Sequence, residues 1–269
     1  MSHWVKFARA HDHLTAIEKA IGQFVKMKPH NLVGEYQPSR PYKPGTEARF
    51  VLRLHAPAQP PAGLPELIGD YLTNLRASLD HIIYAIATKH TGGAFVNRFA
   101  IQFAIHGDEH RFASFKGKVS DDLPSHVLAE MERLQPYQGC DDSNFLPIYI
   151  ERQPLWILNL LVNEDKHRAL VTVPSISLRS MTIDLINAVA VDAPDSWSTS
   201  GSFKHGAEIL SLRFIADAPG AKVNVHPDFT TDVAFTEEWP AVGRPVIETL
   251  QMLSDYVRYK VFDVFEQHL

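Results

Sequence analysis

The sequence predicts an α+β protein: a bundle of three to four long helices, an N-terminal β-hairpin, and an antiparallel sheet inserted before the C-terminal helix. Three observations carry that reading. Apolar residues recur at helical spacing over residues 10–28, 61–90, 154–168 and 245–267. Two strand-like pieces near the start flank the turn-rich stretch QPSRPYKPGT. From 169 to 235 the chain switches to alternating apolar segments between Pro, Gly, Asp and Ser. Strands and helices do not alternate as βαβ units, and no Gly-rich phosphate loop is present. The 269 residues read as a single domain without internal repeats.

In chain order, Leu14, Ile17, Ile21, Phe24 and Val25 line one face of the first helix, which Pro29 closes. The hairpin strands are Asn31–Tyr36 and Ala48–Leu54. Pro60, Pro61 and Pro65 introduce the central helix, and Gly92-Gly93 follow it. Phe95–Ile105 reads as a strand or extended segment, with short helices after it at Asp108–Phe115 and Ser125–Leu134. A polar loop around Gly139–Asn144 leads to PLWILNLLVNEDKHR, apolar almost all round up to Asn163 and hence buried. Val246, Leu250, Leu253, Val257, Val261 and Val264 form the seam of the last helix.

Composition narrows the function classes. The 45% hydrophobic and 21% charged fractions are those of a globular protein. No apolar run approaches the roughly 18 residues of a membrane span. The start MSHWVKFARAHDH lacks a signal-peptide core, which makes a cytoplasmic location the expectation. The one cysteine, Cys140, excludes an internal disulfide framework and a Cys-rich zinc site. Net charge is −5, but residues 1–60 carry nine Lys/Arg against four acids, a local +5 that suits a polyanion or a solvated surface.

The central helix is distinguished by its polar residues. Between Gly69 and Thr88 there is no Lys, Glu or Gln; Asp70, Thr73, Asn74, Arg76, Ser78, Asp80 and His81 stand instead. These are poorer helix formers than the usual surface residues and point to specific partners. Asp70, Asn74 and His81 share a stripe, and Arg76 and Asp80, four apart, can pair on a neighbouring strip. The second buried helix supplies Asn163, Asp165, Lys166, His167 and Arg168 near its C-terminal turn. If the two helices face each other, Asp70 and Asp80 are expected to meet Lys166 and Arg168 in a fixed polar network. Such networks also serve register alone, and the cations suit a helix C-terminus in any case.

The segment Gly69-Asp70…Asn74-Leu75-Arg76…Leu79-Asp80-His81, with Leu134-Gln135-Pro136-Tyr137 and Pro154-Leu155-Trp156 leading to Asp165-Lys166-His167-Arg168, resembles an uncharacterised bacterial family of similar length. That resemblance spans most of 10–175 and implies a family, not an activity. Arg76 and His81 further resemble the Arg-x4-His motif of HEPN-domain proteins, helical proteins that include metal-independent RNases of toxin and defence systems. The HEPN resemblance implies RNA as partner, a homodimer, no cofactor, His81 as general acid or base, and Arg76 stabilising the phosphorane. Ala77 stands where those RNases usually carry a polar residue. On a straight helix Arg76 and His81 also project about 140° apart. The alternative is a non-catalytic protein whose polar centre is structural and which acts by protein or ligand binding. A third class, an enzyme using His81 and His167 as an acid–base pair, has no substrate signal.

Other candidates carry less chemistry. His106 and His110 have a metal-compatible spacing, but Gly107 disfavours a helix between them. His11-Asp12-His13 reads as capping of the first helix. Cys140 beside Asp141 and Asp142 is a poor nucleophile.

Overall fold

Why the first helix starts where it does is decided at the far end of the chain. In the computed structural model, which describes residues 2–28, 30–38, 41–55, 58–139, 153–168, 170–192, 200–201, 205–236, 241 and 243–269, α1 runs Ser2–Lys26. It begins well before the expected residue 10 because its first turns find partners at Phe262 and Glu266, near the other end of the chain. The rings of His3, Trp4 and Phe7 pack around Phe262 at 5.1, 5.1 and 5.4 Å. His3 Nε2 also meets Glu266 Oε1 at 3.1 Å, and the Trp4 indole N–H donates to the same oxygen. His11, Asp12 and His13 therefore lie in the interior of α1 and do not cap it.

The hairpin forms as read, β1 (Asn31–Gln37) against β2 (Glu47–His55), antiparallel from Asn31↔His55 to Gln37↔Arg49. The later strands are β3 (Thr172–Ile186), β4 (Ala188–Asp192), β5 (Ser200–Gly201), β6 (Glu208–Ala216) and β7 (Lys222–Phe235). They do not make one separate sheet. β6 pairs with β2, giving a four-stranded sheet of order β1-β2-β6-β4, while β5-β3-β7 form a second. Matching faces explain the union: Ala48, Phe50 and Leu52 of β2 are buried beside Leu210, Leu212 and Phe214 of β6. A one-residue slip would turn that whole set to solvent. The β3–β7 ribbon pairs from Thr172↔Phe235 to Ile186↔Lys222. One end adds Val223 to this sheet core, and the other adds Val233 and Phe235 to the helical core.

α2 spans Leu64–Thr91 between Gly63 and Gly92, whose φ of 85° and 62° only glycine adopts without strain. Leu64, Ile68, Leu72, Leu75, Leu79, Ile82, Ile83 and Ile86 are buried against α1 and the remaining helices. These are α3 (Glu109–Val119), α4 (Ser125–Arg133), α5 (Pro154–His167) and α6 (Val246–Tyr256), the last continued by a π turn over Val257–Phe262. Cys140 and the loop after it lie outside the described residues.

Phe95–Ile105 is extended but is not a strand; its only regular element is a 3-10 turn at Arg98–Ala100. This connector crosses α2 on the side bearing Arg76 and Asp80.

Candidate functional site

A segment with no strand neighbour still has to satisfy its buried backbone. Here side chains supply the partners. Asp122, fully buried, accepts the N–H groups of Val96 and Asn97, each at 2.7 Å. Gln135 donates to the Ala104 carbonyl at 2.8 Å and accepts the His106 N–H at 2.8 Å. Between them, Asp80 Oδ1 accepts the Phe103 N–H at 3.0 Å, and Arg76 Nη2 donates to the Phe103 carbonyl at 2.6 Å. Arg76 and Asp80 complete the unit as an i,i+4 ion pair at 3.2 Å. One ion pair thus grips both polar groups of a residue whose ring is buried against Phe265. Further along, the Trp156 ring lies so close over Gly107 that an added Cβ would stand 3.1 Å from it.

The pair is held at an electrostatic cost. Burial pulls the Arg76 guanidinium below its usual value, and the Asp80 charge opposes that shift. Burial pushes the Asp80 carboxyl up, while Arg76, the Phe103 N–H, His81 and Lys166 pull it down. Arg76 Nη1 is buried with no hydrogen-bond partner. The Arg76 side chain is 15% exposed and that of Asp80 35% exposed. The carboxylate, not the guanidinium, is the end of the pair that meets solvent.

It does so in a cavity of about 660 Å³. Asp80, His81, Tyr84, Ala85 and Thr88 of α2 line it, together with Ile101 of the connector and Ser2 of α1. His81 Nδ1 is buried without a partner, which leaves Nε2 as the nitrogen able to face the space. Arg76 and His81 accordingly serve different surroundings: the first holds the connector, the second borders the cavity.

Among the described residues no ion pair joins Asp70 or Asp80 to Lys166 or Arg168, although Lys166 lies close enough to Asp80 to help lower its carboxyl. Asp70 is exposed, and Asn74 Nδ2 donates to the Asp70 carbonyl of its own helix at 2.8 Å. α5 approaches α2 at Gly69, where a Cβ would lie 2.7 Å from Asp165 Cγ. Asp80 is about 16 Å further along α2; its ion pair and hydrogen bond come from its own helix and the connector, and Lys166 of α5 acts on it only through its charge. Burial, with Asp70 nearby, raises the Asp165 carboxyl. Asn163, Lys166, His167 and Arg168 are exposed, and among the described residues Arg168 pairs with Glu164, at 3.8 Å. His167 therefore stands apart from the His81 cavity. His106 packs near Phe112 and Phe115 while His110 is exposed, and among the described residues no three metal-ligating side chains come together.

Sequence reasoning missed Asp122 and Gln135 as connector holders and Tyr84, Thr88 and Ser2 as cavity residues. Tyr84 and Thr88 follow Asp80 at four-residue intervals, so extending that face by two turns would have found them. Comparison with protein-family models, curated proteins and solved structures finds no match for this chain. Among the described residues, no helix is long and apolar enough to cross a membrane.

Proposed function

We propose that this protein binds a small molecule in the α2 cavity, and that the Arg76–Asp80 pair holds the cavity wall instead of performing chemistry. In this reading α1, α2, α5 and α6 act as a helical bundle that carries the cavity. One observation carries it: the charged group on the wall is the Asp80 carboxylate, while the guanidinium is turned to Phe103. Phosphoryl chemistry calls for a cation at that position, and a carboxylate there repels a phosphodiester. Small-ligand cavities span roughly 300–1,000 Å³ with mostly apolar walls and a few polar groups. This cavity, with Ala85 and Ile101 beside Asp80, His81 and Thr88, has that make-up. The test is a thermal-shift screen of a fragment library against wild type and Ala85→Trp, which fills the space while leaving the Arg76–Asp80 grip on Phe103 in place. Hits that stabilise wild type and not the variant support the reading. A screen without hits, or hits indifferent to Ala85→Trp, overturns it.

A second reading, metal-independent RNA cleavage of the HEPN kind, is favoured by His81 bordering the cavity and by the free Nη1 of Arg76. In it His81 is the general acid or base, and a homodimer partner supplies a Lys or Arg that the described lining residues do not include. Incubation of mixed RNA with wild type and His81→Ala, with and without chelator, decides it. Chelator-resistant cleavage lost in His81→Ala supports it, and RNA equally intact in all tubes ends it.

A further inference from the structure

Two hydrogen-bonding side chains, Asp80 and His81, line the cavity. Asp80 Oδ1 is taken by Arg76 and by the Phe103 N–H, whereas no hydrogen bond within the described chain engages Oδ2. That oxygen is an acceptor presented to the cavity. Next to it in sequence, His81 has its Nδ1 buried and unpartnered. A buried N–H without an acceptor costs more than a buried lone pair, so the neutral ring carries its proton on Nε2. The cavity thus offers an acceptor and a donor from consecutive residues. Tyr84, braced by Phe95 at 5.2 Å and by Arg98 at 6.0 Å from its ring centre, adds an aromatic surface, and Ile101 and Ala85 add apolar ones.

Net charge does not favour an ionic ligand. The Asp80 carboxylate is matched by Arg76, so neither an ammonium nor an anion meets an uncompensated opposite charge there. A flat, uncharged heterocycle with an N–H donor beside a ring-nitrogen acceptor satisfies both groups and lies against Tyr84. Resting on the ligand-binding reading above, we infer that the cavity takes a neutral amino-substituted aromatic heterocycle, of which adenine is the simplest probe. The exocyclic amino group donates to Asp80 Oδ2, and the adjacent ring nitrogen accepts from His81 Nε2.

Isothermal titration with adenine, purine, benzylamine and benzoate tests this. Purine keeps the ring acceptors and lacks the amino group. Adenine is expected to bind wild type about tenfold or more tightly than purine, the worth of a hydrogen bond to a charged acceptor. In Asp80→Asn the amide oxygen stays with Phe103 and its NH2 group faces the cavity, so the adenine-to-purine ratio falls towards one. His81→Leu weakens both purines, and Ala85→Trp abolishes both. Equal binding of adenine and purine to wild type, lost in Ala85→Trp, overturns the ligand class while the cavity reading stands. Preference for benzylamine or benzoate overturns it likewise, and so does the absence of purine binding when the fragment screen has produced Ala85-dependent hits. These comparisons are made in wild type, so they hold even if Asp80→Asn fails to fold.

Discussion

Replacing Asp80 by alanine removes the carboxylate from a place where two groups depend on it. The Phe103 N–H, on a fully buried residue, loses its acceptor, a loss of about 1–3 kcal/mol. Arg76 loses its counter-ion while 15% exposed and already carrying one unpartnered nitrogen. For a fully buried pair the loss of one partner costs about 3–5 kcal/mol. Here the guanidinium keeps its bond to the Phe103 carbonyl, and the cavity beside Asp80 admits water, so the whole change is set lower, at about 2–4 kcal/mol. With a urea slope of about 3 kcal/mol/M, the unfolding midpoint falls by about 1 M. Asp80→Asn keeps an acceptor for Phe103 and loses only the charge, so about half that fall is expected. Arg76→Leu and the double variant complete a cycle whose coupling energy isolates the pair. An Asp80→Ala midpoint within about 0.2 M of wild type, at unchanged slope, would refute the claim that this pair holds the connector.

Two other outcomes follow from the same structure. Asp165 sits by Asp70 with its carboxyl raised, chiefly by burial. The folded state therefore binds this proton more readily than the unfolded chain, and the resulting stability is complete only below the unfolded value of about 3.9, fading as pH rises through the folded one. Asp165→Asn should stabilise at neutral pH by a fraction of a kcal/mol up to about 1 kcal/mol, with the advantage shrinking on acidification; melting curves at pH 7 and pH 4 check the sign, and a destabilised variant at pH 7 contradicts it. Gln135→Leu strands the Ala104 carbonyl and the His106 N–H together, so a loss of about 2–4 kcal/mol is expected. Urea titration of that variant decides it, an unchanged midpoint telling against the role given to Gln135.

What was legible in the sequence depended on whether a residue's partner lay nearby. The hairpin and α2 rest on local alternation and periodicity, and both were found. The first turns of α1 rest on Phe262 and Glu266, and no window around His3 contains them. The union of β2 with β6 needs two faces to match across more than 150 residues, so the sequence alone reads the hairpin as separate from the later strands. Arg76–Asp80 was legible as an i,i+4 pair, yet its object, the backbone of Phe103, was not. Of the network expected with α5, the charge of Lys166 reaches Asp80 without an ion pair, while the close approach of α5 to α2 lies at Gly69, against Asp165.

The connector has a kinetic consequence. In a β-sheet, amides along a strand are protected together, because the ladder opens as a unit. Here the amides of Val96 and Asn97, of Phe103 and of His106 are held by Asp122, Asp80 and Gln135 respectively. Each of those side chains can let go by a rotamer change without disturbing the next. Hydrogen exchange along this stretch should therefore divide into three independent openings, each read out by its own amides. The middle one, at Phe103, borders the cavity wall, and its exchange rate reports how often that wall loosens.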